Sequence, residues 1–243
     1  MNIYIVGAGG SGKTTLCEAL QRHYIELRDR TAHSQQPKHI SELARSVIAD
    51  LGISRDDIRS SPEKCLQLQK AILEAQHQAE LKLEQEGPQW YISDRSGMDA
   101  VVMTYLYVGE EEARKLLALP AWQYLEQKMQ NGLVFLCQST SKWILDDGTR
   151  LLPNDEDEWE RIDQVFAQLL TARGIHFILI PRDMTELSER TRFVLDAHNA
   201  VDKRLAASNT ISATSANDKT RSDSRLDQLH DRRRSCPQNW SHQ

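Results

Sequence analysis

The first fourteen residues restrict this chain more than any other stretch. Ile3-Tyr4-Ile5-Val6 is a short, wholly apolar run. It leads into Gly7-Ala8-Gly9-Gly10-Ser11-Gly12-Lys13-Thr14, after which a helical period runs from Lys13 to about Leu27. A buried strand, a glycine-rich turn and a helix in immediate succession make a phosphate cradle. Glycines let backbone N–H groups approach phosphate oxygens, a lysine reaches the β/γ-phosphates and a hydroxyl can hold Mg²⁺. Gly7, Gly12, Lys13 and Thr14 have the required spacing. Gly9, Gly10, Ser11 and Thr15 complete the set expected to line a bound nucleotide, and the helix N-terminus adds its positive dipole end. The expected ligand is ATP, with GTP as the alternative, together with Mg²⁺.

The rest of the body alternates in the same way. Lys38-His39-Ile40-Ser41 is a weak strand candidate, followed by a helix through Glu42–Ile48 that ends at Gly52. A long amphipathic helix starts at Ser61-Pro62, repeats Leu68, Ile72, Ala75 and Ala79 on one face, and stops at Gly87-Pro88. Trp90–Asp94, Leu133–Cys137 and Ile175–Ile180 read as buried strands. Helices are expected at about Met98–Tyr107, Glu110–Gln130 with a break at Pro120, Glu158–Arg173 and Thr185–Ala200. Apolar strands separated by helices predict a parallel sheet covered on both faces, and so a three-layer α/β fold.

Composition narrows the class. The 40% hydrophobic and 27% charged shares are those of an ordinary globular chain, and no apolar run approaches the ~20 residues of a membrane span. Cys17, Cys65, Cys137 and Cys236 lie far apart, which predicts buried or incidental thiols rather than a metal or redox site. No basic flank or cleavage site opens the chain, so a cytoplasmic protein is expected. From Lys203 to Gln243 there are eight Lys/Arg against four Asp, so this tail carries +4 and the rest of the net −5 chain carries −9. The tail is polar and aperiodic, and its composition predicts disorder over 203–243 beyond a domain spanning 1–202. Arg232-Arg233-Arg234 stands without stacking aromatics on an acidic protein, which speaks against a nucleic-acid partner. No feature names a protein partner.

A P-loop also needs an acidic group on a neighbouring strand to anchor hydrated Mg²⁺. Asp94, at the end of Trp90-Tyr91-Ile92-Ser93, is the candidate, so Thr14 and Asp94 form the expected metal pair. Arg95 follows directly, and Asp-Arg at a strand end resembles the signature of nucleoside and nucleotide kinases, where the arginine steadies phosphate charge. Asp94-Arg95-Ser96-Gly97 also fits the DxxG pattern of small GTPases. That rival requires a guanine-reading Asn/Thr-Lys-x-Asp after a later strand, and Gln138-Ser139-Thr140-Ser141-Lys142-Trp143 does not supply it.

Taken in order, the P-loop, Glu42-Leu43-Ala44-Arg45, Ile92-Ser93-Asp94-Arg95, Asp146-Asp147-Gly148-Thr149-Arg150 and Glu189-Arg190 resemble one family. It is the AAA-type P-loop family of NadR-like ribosylnicotinamide kinase domains and TRPL translocation defect proteins. The likeness covers about Met1 to Ala200. It implies a five-stranded sheet in the order 2-3-1-4-5. It implies Glu42 at the acceptor site, as a base or hydroxyl ligand, with Arg45 beside it, and Asp147 and Arg150 in a lid over the phosphates. Glu189-Arg190 reads most simply as a solvated helix face. The expected catalytic set is therefore Lys13, Asp94, Arg95, Glu42 and Arg150, moving the γ-phosphate of ATP to a small hydroxyl acceptor, plausibly a nucleoside. The alternative is a nucleotide-dependent switch or scaffold that hydrolyses slowly and acts through a protein or lipid partner.

Overall fold

In a computed structural model of the chain, residues 1–31, 36–87, 89–139 and 155–204 are described. Five strands form one sheet: β1 (Ile3–Val6), β2 (Lys38–Ile40), β3 (Tyr91–Asp94), β4 (Leu133–Cys137) and β5 (Phe177–Ile180). Their spatial order is β2-β3-β1-β4-β5, and every pair is parallel. The predicted 2-3-1-4-5 order and the three-layer P-loop kinase-like architecture are both present.

The central strand shows why both faces are covered. Side chains alternate along a strand. Tyr4 and Val6 join a core with Leu73, Met98, Trp122, Leu136 and Phe166. Those residues come from α4 (Pro62–Gln85), α5 (Gly97–Tyr107), α7 (Pro120–Gln130), β4 and α8 (Glu156–Ala172). Ile3 and Ile5 point the other way and are fully buried. Helix α1 (Lys13–Thr31), which packs on β1 and β3, buries Leu16 and Leu20. Pro120 divides the expected helical run into α6 (Glu110–Leu117) and α7, and stands at the first turn of the latter, where a missing N–H costs nothing.

Three local features depart from the sequence reading. Helix α2 spans Ala44–Leu51, so Glu42 lies in the β2–α2 connection rather than in a first helical turn. An additional helix, α3 (Arg55–Ser60), stands where none was expected. Ser54 accepts from the Asp57 N–H while the Asp57 carboxylate accepts from the Ser54 N–H, a reciprocal cap that stabilises so short a helix. The buried face of α4 is also less apolar than its period implied. Besides Leu68 and Leu73 it buries Gln69, Gln76 and Glu80. Tyr4 and Tyr91 donate their hydroxyls to Glu80 Oε2 at 3.0 and 2.5 Å, and Gln76 donates to Glu80 Oε1 at 2.8 Å and to Ser93 Oγ at 3.0 Å. Burial pushes the Glu80 carboxyl pKa above its ordinary value, against those hydrogen bonds.

The compact unit that contains the sheet is Met1–Asp196, and a second begins at Ala197. A last helix, α9, starts at residue 187. No helix among the described residues is long and apolar enough to cross a membrane.

Candidate active site

The site is built at the C-terminal ends of β1, β3 and β4. The chain leaves β1 through Gly7 at φ +134°, where a Cβ would stand 2.5 Å from the Cys137 carbonyl oxygen of the neighbouring strand. Only glycine allows the loop to start there. Gly10 and Gly12 are also left-handed, Gly9 is half-buried, and Ser11 is buried. Lys13 is 4% exposed and folds back across the loop, donating from Nζ to the Ala8 carbonyl at 2.6 Å and to Ser11 Oγ at 3.3 Å. Burial, helped by the nearby Arg95 charge, lowers its pKa to about 8. Thr15 is exposed in the first turn of α1.

Thr14 and Asp94 meet at one point. The Thr14 hydroxyl donates to Asp94 Oδ2 at 2.6 Å. Asp94 is 1% exposed, and its other oxygen, Oδ1, is buried with no hydrogen-bond partner among the described residues. A buried carboxylate oxygen without a donor is costly to leave. An oxygen ligand for a hard cation, beside a threonine hydroxyl at the end of a phosphate cradle, fits Mg²⁺. Among the described residues no group of three His, Cys, Asp or Glu could hold a metal by itself.

Arg95 is the next residue, and its backbone is unusual. Its φ is +85°, the only positive value outside glycine among the described residues. For a side chain of this size that conformation costs about 1–3 kcal/mol and persists only where the surroundings enforce it. The restraints are visible. The Arg95 N–H bonds to the Ile5 carbonyl at 3.0 Å. Its guanidinium reaches Glu42 Oε1 from Nε at 2.7 Å and from Nη2 at 2.6 Å, and Asp99 Oδ1 from Nη1 at 3.1 Å. Burial alone would raise the Glu42 carboxyl pKa. Arg95 and Lys13, with hydrogen bonds from Arg95 and Arg45, bring it instead to about 2. For Asp99, burial outweighs the same guanidinium and the pKa rises. Arg45 lies beside Glu42, with Nε 3.2 Å from Oε2.

A cavity of about 90 Å³ opens from this cluster. Gly7, Ala8 and Gly9 of the P-loop line it together with Glu42, Arg95 and Asp99. The rest of its described lining comes from α2, α3, α4, α5 and α8 and is mostly apolar. The strand ends therefore bring together Lys13, Thr14, Asp94, Arg95 and Glu42. Asp147 and Arg150 lie outside the described residues.

Two participants escaped the sequence reading. Asp99 holds Arg95 from the first turn of α5. The Ser96-x-x-Asp99 spacing, a capping box in which the Ser96 hydroxyl is held and Asp99 accepts the Ser96 N–H, was its available signal. Arg190 is not on a solvated face. It is 3% exposed and donates from Nη1 to the Ser11 carbonyl of the P-loop at 3.0 Å, and its side chain also bonds the Cys137 thiol. The carbonyls of a tight loop need donors, and a guanidinium from α9 provides one. No local pattern could announce a partner 179 residues away. Glu189 is exposed, as expected.

A five-stranded parallel sheet with this loop and these strand-end residues defines a P-loop kinase-like protein. The profile of a family described as an AAA domain matches residues 2–190, most of the chain, and the protein belongs to that family. Among solved structures it is similar to a NadR protein in complex with NR, at 18% identity and TM-score 0.60 over 82% of this chain and 50% of that one. A NadR protein in complex with NAD and AMP-PNP aligns at 17% identity and TM-score 0.55, over 81% and 48%. The chain thus spans about half the length of those proteins, and at such identity the likeness establishes the fold. No curated protein sequence matches it significantly.

Proposed function

We propose that this protein is a Mg²⁺-dependent kinase that passes the γ-phosphate of ATP to the hydroxyl of a small acceptor. The observation that carries this reading is the cavity lined by both the P-loop and the Glu42–Arg95–Asp99 cluster. A protein that only hydrolyses or senses nucleotide has no need of a walled pocket at the γ-phosphate end. The fold shared with NadR proteins supports the same class.

In this scheme the loop amides and Lys13 bind the phosphates. Lys13 exchanges the Ala8 carbonyl for phosphate oxygens, which restores full charge to an ammonium that burial has made weakly basic. Thr14 and Asp94 Oδ1 would hold Mg²⁺, which when bound neutralises charge on the β- and γ-phosphates. Arg95 sits where charge builds up on the transferred group. Its restraint by two carboxylates and a strained backbone fixes it beforehand, the condition under which a cation stabilises a transition state best. The acceptor oxygen–phosphorus bond forms as the bond from phosphorus to the leaving ADP oxygen breaks. Glu42, with a pKa near 2, is a poor base at neutral pH. Its role is to accept a hydrogen bond from the acceptor hydroxyl and aim it, the proton leaving to solvent after the bond has formed, as a loose transition state allows. Arg150 would join from the segment beyond β4.

The test is ADP release from Mg·ATP with and without a panel of small hydroxyl acceptors that includes nucleosides, nicotinamide riboside among them, and apolar alcohols. Stimulation by an acceptor, absent in Lys13→Ala and strongly reduced in Glu42→Ala with nucleotide binding intact, is the expected result. Nucleotide binding that no acceptor stimulates would overturn the reading in favour of a nucleotide switch.

A further inference from the structure

The described lining of the cavity is of two chemical kinds, and this restricts what can fill it. One part is Glu42, Arg45, Arg95 and Asp99, two carboxylates and two guanidiniums linked through the Arg45–Glu42, Glu42–Arg95 and Arg95–Asp99 ion pairs. The other part includes Ile48, Ile58, Leu68, Ile72, Met103 and Phe166. Among the described lining residues the other polar side chains are Tyr107 and Gln69, and both are engaged. The Tyr107 hydroxyl donates to Glu158 Oε1 at 2.6 Å, and Glu158 is gripped in turn by both Arg59 nitrogens, at 3.1 and 3.2 Å. The Gln69 amide, 3% exposed, is hydrogen-bonded to the Cys65 thiol.

From this division we infer that the acceptor is an uncharged alcohol whose body beyond the reacting hydroxyl is an apolar ring or branched chain. Hydroxyls near the reacting carbon meet the charged side chains. A hydroxyl, amide or charge set against the apolar side chains would lose water and face hydrocarbon, a penalty that apolar walls impose on every polar group lacking a partner. An apolar body gains from the same walls in proportion to the area it buries. Sugars, polyols and phosphorylated acceptors are thereby disfavoured. Nucleosides with amide-bearing bases bind less well than alcohols of the same size with a plain hydrocarbon ring. The inference narrows the acceptor of the kinase proposed above and rests on that reading only for which end carries the reacting hydroxyl.

Binding to the full chain, measured calorimetrically without nucleotide, tests it apart from turnover. Benzyl alcohol and cyclohexylmethanol are the apolar probes, and ribose and nicotinamide riboside the polar ones. The expected result is binding of the apolar pair at least roughly tenfold tighter than the polar pair, with Met103→Gln weakening it on the order of tenfold. Ile48→Thr, on a half-buried position of α2, repeats the test should Met103→Gln fail to melt like the parent protein. Ribose or nicotinamide riboside binding as tightly as the apolar pair would overturn the inference, and so would apolar binding indifferent to the substitution. Adding Mg·ATP then separates the two claims. Apolar binding without ADP release leaves the pocket assignment standing and removes the kinase. Phosphorylation of a polyol by a protein that does not bind the apolar probes does the reverse.

Discussion

Two buried carboxylate clusters lie on the same strand, β3, and they are built on opposite plans. Below the sheet, Glu80 is surrounded by neutral donors, two tyrosine hydroxyls and an amide, and both its oxygens are satisfied. At the strand end, Glu42 and Asp99 face a guanidinium, Arg95 sits in a strained backbone, and Asp94 Oδ1 has no partner among the described residues. The first cluster closes on itself and fixes α4 against β1 and β3. The second leaves charge, strain and an open oxygen beside a cavity, features that cost stability and make sense where a ligand completes them. Burial is common to both, so the kind of partner separates structural polarity from the functional kind.

The comparison can be broken most sharply with Lys13→Ala. Nucleotide-dependent turnover should fall about 10²–10³-fold while the thermal melt stays close to that of the parent protein. A large loss of stability instead would mean that the fold-back of Lys13 onto Ala8 is a structural clasp. Glu80→Ala should do the opposite. It strands Tyr4, Tyr91 and Gln76 without their acceptor and should destabilise the protein by about 3 kcal/mol in denaturant unfolding, with nucleotide affinity of the folded fraction unchanged.

The two carboxylates should also carry opposite pH signatures. Glu42 has a depressed pKa, so its contribution is complete above the ordinary carboxyl range near 4.5 and is lost as pH falls towards 2. Glu42→Gln should therefore remove up to about 3 kcal/mol of acid-side loss from the stability profile. Glu80 has a raised pKa, so its contribution is greatest below the ordinary range and declines as pH rises through the raised value. Glu80→Gln should flatten that decline, and a profile unchanged by either substitution would erase the distinction. Lys13, at about 8, gives the next effect. Above that pH the free protein must take up a proton to bind phosphate, so nucleotide affinity should weaken by up to about tenfold per pH unit, and titration calorimetry would register the uptake. The smallest effect belongs to Tyr91→Phe, about 1 kcal/mol of stability and none of affinity.

Much of this was legible in the sequence, for a physical reason. Strands buried on both faces are continuous apolar runs, so Ile3–Val6 and Leu133–Cys137 stand out, Trp90-Tyr91-Ile92 leads visibly into Ser93-Asp94, and a glycine loop between strand and helix has few other readings. Strand ends were less clear, because Trp90, Ile175 and His176 carry strand-like side chains just outside the ladder. What stayed hidden depends on contacts across the chain. Gln76 and Glu80 look like solvent-facing positions of α4 until Tyr4 and Tyr91 are placed opposite them. Arg190 looks like a surface residue until α9 is laid beside the P-loop. The positive φ of Arg95 has no sequence signal at all, since the residue type argues against it. The aliphatic body of the cavity draws on five helices, among them α3, and no window of sequence could assemble it.

The central claim is that a phosphoryl group leaves ATP at the P-loop and arrives on an alcohol held at Glu42 and Arg95. Phosphorus NMR of the protein with Mg·ATP and a binding alcohol follows that transfer atom by atom. The account predicts a new phosphomonoester resonance growing in step with ADP, and its absence with Lys13→Ala. Inorganic phosphate alone, or an ATP spectrum that does not change while the alcohol is bound, would contradict it.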